Sequence, residues 1–508
     1  MNLAWGRAPY EHQQRAAAFA APKDAYALLM EQGTGKTAVA IHDAAARFAG
    51  GEILGLLVLA PSGVHTNWVL NELPKHMPPE VRYRAAAYYS APRKAEREAL
   101  TQMNYASADE MRVLTMNWEA LTTAEGVRWA RDFCKSLECR AFIAGDESQR
   151  VKSPKAVRTK RLLELRELSA VRCIMSGTAI LNSPWDAYSQ FAFLDPEILR
   201  IRSFTAFKAE YAHLLPPGHG LLRHIAQRTG GRYDPQIVAR DAEGNPRWRN
   251  LEQLERLIAP HSFRVLKKDC LDLPEKVYTQ TYFRMTAAQL KAYERLRDDL
   301  RLQLADGRIA PMERIGALTK LSQIVSGYFI VPGTATVQRL MPAADNPKIR
   351  ALLEVVEDAE GQLIIWARFH AEIEDICAAL RAEGVEHVAY HGGVDRAERP
   401  EAIRAFESGQ ARVFVGQQAA GGTGITLVAP NSAAREMAVV YFSNTFSLED
   451  RLQSEDRAHR IGQQKTVRYI DLLAAGTIDA RIVSALRMKQ DLASTVLGDK
   501  RRAAALLE

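Results

Sequence analysis

Short apolar runs, each bounded by Gly, Pro or polar residues and each followed by a longer helical pattern, constrain this chain more than any other feature. AYALLM (25–30), GLLVLA (55–60), MRVLTM (111–116), AFIAGD (141–146) and VRCIMS (171–176) are apolar almost throughout, as strands buried on both faces must be. The alternation returns in QLIIWARF (362–369), HVAYH (387–391), ARVFVG (411–416), AVVYFS (438–443) and VRYIDL (467–472), after an interval with no comparable run. Parallel strands need helical crossovers, so each series predicts one doubly wound α/β unit. A chain of 508 residues is long enough to bury two such cores. The expected division is 1–270 for the first lobe, with a helical protrusion from about 200. The second is 271–508, opening with a linker near LDLPEKV (271–277) and carrying a protrusion at about 285–345.

Composition narrows the function classes. With 47% hydrophobic and 25% charged residues the chain reads as globular. No apolar run approaches the roughly 20 residues that cross a bilayer, so no membrane role is expected. The start, MNLAWGRAPYEH, lacks the basic head and apolar core of a secretory signal, and a reducing, cytoplasmic setting is expected. Cys134, Cys139, Cys173, Cys270 and Cys377 are too scattered for a zinc or disulfide framework and read as core or incidental thiols. A net charge of +7 would draw a polyanion if it gathers in one cleft and means little if spread evenly.

After the first strand comes Glu31-Gln32-Gly33-Thr34-Gly35-Lys36-Thr37, followed by the helical run AVAIHDAAARF. Glycines let backbone N–H groups close around phosphate oxygens at a helix N-terminus, Lys36 can reach the β- and γ-phosphates, and the Thr37 hydroxyl can ligate Mg²⁺. Met30 stands where the strict pattern has a small residue, and a chance GxGKT is the competing reading. Asp146 and Glu147 end a buried strand, where α/β folds place their ligands. Asp146 can hold Mg²⁺ and Glu147 can activate a water for phosphoryl transfer; alone, the pair could equally be a solvated turn. Near the C-terminus, Arg457 and Arg460 are expected three apart on one helix face. They read either as arginine fingers or as a solvated basic helix.

The string around that pair, Gln453-Ser454-Glu455-Asp456-Arg457-Ala458-His459-Arg460-Ile461-Gly462-Gln463, resembles the sixth motif of the Swi/Snf branch of superfamily-two helicases. The other motifs follow in the branch's order. PYEHQ, with Tyr10 and Gln13, is similar to the adenine-reading element; Leu59-Ala60-Pro61-Ser62 with Asn67, Trp68 and Glu72 to the next motif; LTMNWEAL (114–121) to the one after. Asp146-Glu147-Ser148-Gln149 resembles the acidic box, Ser176-Gly177-Thr178 the coupling motif, and SFRVLKKDCLDLPEK (262–276) the segment joining the lobes. IIWARF, YHGG (390–393), GQQAAGGTGITL (416–427) and GTIDARI (476–482) complete the series over nearly the whole chain. Gln149 replaces the branch's usual His, and Ala179 its usual Pro. No bromodomain-like, chromodomain-like or zinc module is visible, so the chain resembles a minimal bacterial or bacteriophage member.

The resemblance implies two RecA-like doubly wound parallel-sheet lobes with helical protrusions. It implies ATP and Mg²⁺ as cofactors, DNA-stimulated ATP hydrolysis, and translocation along double-stranded DNA 3′ to 5′ without sequence preference; a monomer is expected. The nucleotide would be held by Tyr10, Gln13, Gly33, Thr34, Gly35, Lys36, Thr37 and Gly424, with Asp146, Glu147, Arg457 and Arg460 serving the chemistry. DNA phosphates would be met by Ser62, Asn67, Thr115, Ser176, Thr178, Arg368, Gly392 and Thr423, through short polar groups and amides that carry no base information. Each of these could instead be a cap or loop hydrogen bond, and Gly421, Gly422 and Gly424 mere turn residues. Trp68 reads as core in preference to a base-stacking platform. Three function classes compete: a duplex translocase, a strand-separating helicase, which needs a wedge not identifiable from sequence, and a non-hydrolysing scaffold, which would be expected to lose Lys36, Glu147 or the arginines.

Overall fold

The computed structural model describes residues 3–216, 218–220, 222–223, 236–305, 311–331, 333–334, 336–395, 398–418, 425, 427–428, 436–460 and 462–499. By its contacts the chain forms two compact units. One holds the residues up to Leu271 together with those from Lys489 on; the other runs from Asp272 to Met488.

The first unit is built on a seven-stranded sheet, every strand parallel to its neighbours. Its strands are β1 (Ala25–Met30), β2 (Gly55–Ala60), β3 (Arg82–Ala87), β4 (Glu110–Asn117), β5 (Ala141–Asp146), β6 (Ser169–Met175) and β7 (Ser262–Val265), in the order β3-β4-β2-β5-β6-β1-β7. Successive side chains of a strand point to opposite faces, and two separate hydrophobic clusters divide the strands by that parity. Ala27, Leu29, Leu57, Leu59 and Ile143 join one cluster; Tyr26, Leu28, Leu56, Val58, Phe142 and Ala144 join the other. Helices cover both faces, so β2 and β5 are buried along their whole length.

The second unit repeats the plan with six parallel strands: β8 (Lys276–Phe283), β11 (Leu363–Ala367), β12 (His387–Tyr390), β13 (Val413–Gln417), β14 (Glu436–Tyr441) and β15 (Thr466–Ala474), ordered β12-β13-β11-β14-β15-β8. Helices Ala287–Ala305 and Pro311–Val325 and an antiparallel pair, β9 (Tyr328–Ile330) with β10 (Val337–Arg339), occupy the interval where a protrusion is expected. The chain is therefore α/β, with two doubly wound parallel sheets.

Periodicity did not single out β3, β7 and β8. All three lie at sheet edges, where one flank faces no strand and the demand for continuous apolar residues is relaxed. RYRAAA in β3 and KVYTQTYF in β8 are accordingly only partly buried. The end of the chain also departs from expectation. Residues 489–499 read from sequence as part of the second lobe, yet Leu492, Ala493, Val496 and Leu497 pack into a core cluster of the first unit.

Candidate active site

The first helical crossover builds the phosphate loop. β1 ends at Met30, and the chain turns through Gly33 (φ +83°) and Gly35 (φ +85°) before helix Lys36–Ala49 begins with Gly35 as its N-cap. Both glycines occupy the left-handed region that L-residues with a Cβ rarely adopt. At Gly35 the case is also steric, since a Cβ there would lie 2.0 Å from Gln13 Nε2. Helix Glu11–Ala20 braces the loop. The Thr34 carbonyl accepts from His12 Nε2 at 2.8 Å and from Gln13 Nε2 at 3.1 Å, while Thr34 Oγ1 donates to the Glu31 carbonyl at 2.7 Å. Gln13 Oε1 accepts from the Tyr10 backbone N–H at 3.1 Å, leaving the half-exposed Tyr10 ring stacked on His12, centroids 5.6 Å apart. On the other flank, Glu31 Oε2 accepts from the Lys267 backbone N–H at 2.7 Å. His12, Glu31 and Lys267 stand within the motif strings but carry no role there, because what marks them is contact across the fold and not spacing.

At the end of β5, Asp146 is buried. Trp68 Nε1 donates to its Oδ2 at 3.1 Å and the Glu147 backbone N–H to its Oδ1 at 3.0 Å, while Trp118 Nε1 holds the Asp146 carbonyl at 2.8 Å. Trp68 is thus core, as its sequence context implied, and it also orients this carboxylate. Burial pushes the Asp146 carboxyl up to about 6; the neighbouring Glu147 charge adds to the rise and Lys36 opposes it. Glu147 stands in the left-handed region (φ 50°, ψ 55°), a strained conformation for a non-glycine residue that turns its carboxylate toward the loop. Lys36 Nζ lies 3.8 Å from Glu147 Oε1, and Gln32 Nε2 donates to the same oxygen at 3.3 Å.

Two hydrogen-bonded bridges join this acidic turn to the segment after β6. In the first, Gln149 Nε2 donates to Glu147 Oε2 at 2.8 Å, and Gln149 Oε1 accepts from Ser176 Oγ at 2.7 Å. Ser176 Oγ in turn accepts from the Thr178 backbone N–H at 3.0 Å. In the second, Ser148 Oγ donates to Gln190 Oε1 at 2.6 Å, while Gln190 Nε2 donates to the Ala179 carbonyl at 2.8 Å. Both positions where the sequence departs from its family pattern, Gln149 and Ala179, are therefore members of a bridge. Gln190 carries no motif and was not legible in the sequence.

No group of three or more His, Cys, Asp or Glu among the described residues could hold a metal ion by itself. Thr37 and Asp146 supply hard oxygens, a donor set of the kind Mg²⁺ uses when phosphates complete its shell. The residues present fit a Mg²⁺–nucleotide pair better than a resident metal.

In the second unit, helix Leu448–Ala458 starts at the Ser447 cap. Arg451 pins it by donating to Glu455 Oε1 at 2.9 Å and Asp471 Oδ1 at 2.5 Å, with its guanidinium 3.5 Å above the Tyr441 ring. Arg457 is in the last turn, whereas Arg460 lies two residues beyond the helix, a correction to the shared helical face. The two still converge, because Nη1 of each donates to the Ile425 carbonyl, at 3.3 Å and 3.4 Å.

The expected DNA contacts fare unevenly. Ser62 and Gly392 are exposed and Thr178 is half-buried. Asn67 is half-buried and bonded to Glu72 and Asn71. Arg368 is half-buried, donates to Thr319 Oγ1 at 3.1 Å, and has its pKa lowered by burial. Thr115 and Ser176 are fully buried, so the expectation that they touch DNA is corrected: Ser176 serves the bridge above, and Thr115 is enclosed within β4 of the sheet. Thr423 and Gly424, with Gly421 and Gly422, lie outside the described residues. No helix among the described residues is long and apolar enough to cross a membrane.

Comparison with known proteins places the chain in a family. Residues 12–326 match the SNF2-related domain, and residues 347–462 the helicase conserved C-terminal domain. The zebrafish chromodomain-helicase-DNA-binding protein 1-like is 24% identical over 93% of this chain and 42% of its own length. The putative ATP-dependent helicase/translocase YwqA of Bacillus subtilis is 24% identical over 87% and 43%. The chain thus spans less than half the length of these curated relatives. The Sulfolobus solfataricus SWI2/SNF2 ATPase core in complex with dsDNA covers 98% of this chain and 96% of that one at 21% identity, with a TM-score of 0.41. With the SNF2-related match alone taking in more than half of its residues, the chain belongs to the SNF2 family of helicase-like proteins.

Proposed function

We propose that the chain is a DNA-stimulated ATPase that moves along double-stranded DNA without reading its sequence, displacing or remodelling what is bound there. The observation that carries this reading is the bridge from Glu147 through Gln149 to Ser176 and Thr178. It ties the carboxylate beside Lys36 to a second segment, so that a change at the nucleotide need not stay at the nucleotide. The names of relatives, a putative ATP-dependent helicase/translocase among them, support the same class.

In this reading the loop amides from Gly33 to Thr37 and the Lys36 ammonium bind the phosphates, with Tyr10 and Gln13 on the base side. Glu147, fixed by Gln149 and Gln32, orients the attacking water and takes its proton. Asp146 and Thr37 would hold Mg²⁺, which neutralises charge on the phosphate oxygens when bound with nucleotide. Arg457 and Arg460, by their match to the family motif, are assigned to the charge that develops on the transferred phosphoryl group. Ser62, Asn67, Thr178, Arg368 and Gly392 remain the assigned phosphate contacts on DNA, with Thr423 outside the described residues.

ATPase titrations against duplex DNA, single-stranded DNA and RNA, run beside triplex-displacement and forked-duplex assays, test the proposal. Stimulation by duplex and triplex displacement without fork unwinding are expected, with binding that weakens steeply as salt rises. Robust fork unwinding would favour the strand-separating reading. Stimulation by RNA alone, or no ATP turnover, would overturn the proposal.

A further inference from the structure

The chain's last described residues bear on the nucleotide site. Helix Ile478–Val496 is followed by a turn at Leu497 and Gly498, where the Gly498 φ of +73° is a left-handed reversal suited to glycine. Leu492, Ala493, Val496 and Leu497 anchor this end in a core cluster of the first unit. The reversal seats Asp499 on Arg264 of β7: Nε donates to Oδ1 and Nη2 to Oδ2, both at 2.9 Å, a two-point carboxylate grip with both side chains nearly buried.

The remaining nitrogen of Arg264 is engaged elsewhere. Nη1 donates to the Leu29 carbonyl at 3.1 Å and the Gly177 carbonyl at 3.0 Å. Leu29 is the penultimate residue of β1, two residues before the phosphate loop begins at Glu31. Gly177 lies between Ser176 and Thr178, which form the bridge to Glu147, and it packs flat on the loop. A Cβ there would lie 3.3 Å from the Gln32 amide nitrogen and 3.4 Å from Glu31 Cα. One guanidinium thus fastens both carbonyls while Asp499 grips its other two nitrogens.

We propose that Asp499, acting through Arg264, is a positioning residue of the nucleotide site, so that the turn after helix Ile478–Val496 completes the support of the phosphate loop and of the 176–178 segment. The proposal rests on the ATPase reading above. With the carboxylate removed, Arg264 keeps its charge but loses the two-point grip on Nε and Nη2. Gly177 is then less firmly held, and the loss reaches Glu147 through Ser176 and Gln149. ATP binding, carried by the loop amides and Lys36, should change little, whereas turnover should fall.

The test uses the full chain with Asp499→Asn, Arg264→Met and the double variant. The amide introduced by Asp499→Asn keeps the volume of the carboxylate while removing its charge and one acceptor. Each single variant is expected to lower kcat about tenfold with the Kd for a fluorescent ATP analogue within about twofold, and the double variant to be no worse than the weaker single, as residues acting as one unit behave. Hydrogen exchange should quicken in peptides covering 28–32 and 175–179, whether or not ATP is turned over. Unchanged kcat and exchange, additive losses, or a fall in kcat matched by a loss of folded protein would each overturn the proposal. A wild-type chain that turns over no ATP would sink the ATPase reading instead, and the exchange data would still decide the clamp.

Discussion

Gln149 stands between Glu147 and Ser176, its amide nitrogen donating to Glu147 Oε2 at 2.8 Å while its oxygen accepts from Ser176 Oγ at 2.7 Å. An amide can serve both neighbours at once without titrating. Turnover by the wild type should therefore show no limb near neutrality that arises from this position. Gln149→His is expected to introduce one, with activity changing through about pH 6.5 as the imidazole gains a proton. Gln149→Ala should keep ATP affinity and lose turnover and DNA stimulation. Steady-state pH profiles of the three proteins check this, and superimposable profiles would remove Gln149 from the bridge.

The two ionisable residues that meet at 3.8 Å, Lys36 and Glu147, should fail in different ways. Lys36→Ala removes the ammonium that the loop directs at phosphate and is expected to abolish ATP binding or turnover. Glu147→Gln keeps the shape but is a much poorer base, so it should bind ATP and hydrolyse it slowly. Equilibrium nucleotide binding beside single-turnover hydrolysis separates them; equal loss of affinity in both would make Glu147 structural.

For the second unit, Arg457→Ala and Arg460→Ala are expected to leave the fold intact and depress turnover, by up to about three to five orders of magnitude if both act as fingers. Each donates a long hydrogen bond to the Ile425 carbonyl, and melting curves run beside turnover separate a loss of fold from a loss of chemistry. Wild-type turnover in both variants would return the pair to a solvated or structural role.

Acid should weaken the second unit through its buried ion network. Burial alone would raise the Glu455 carboxyl, but the charges of Lys276 and Arg451 and the hydrogen bonds from Arg451 and Tyr278 outweigh it and hold the group below the usual range. A depressed folded pKa contributes stability that is present above the unfolded value of about 4.3 and is lost as pH falls through the folded one. Arg451→Met takes the shared cation from two buried carboxylates, Glu455 and Asp471, and should cost about 3–5 kcal/mol near neutrality, with a flatter dependence on acid. Denaturant unfolding between pH 7 and pH 3 measures both; parallel curves for variant and wild type would refute the assignment.

The sequence by itself determined the two parallel sheets, the phosphate loop and the acidic turn. These rest on local physics: a strand buried on both faces must be apolar along its length, and a loop that bends through positive φ favours glycine, as at Gly33 and Gly35. Edge strands β3, β7 and β8 escaped because edge position relaxes that demand. Only tertiary structure decided which residues support the site. His12 and Gln13 meet Thr34, Gln190 joins Ser148 to Ala179, and Arg264 meets Asp499 across 235 residues of chain. It also withdrew Thr115 and Ser176 from the surface, and it moved 489–499 from the second lobe to the first unit. A hydrogen bond between distant residues leaves no period and no spacing in the sequence, because its partners are brought together by the packing of the elements that carry them.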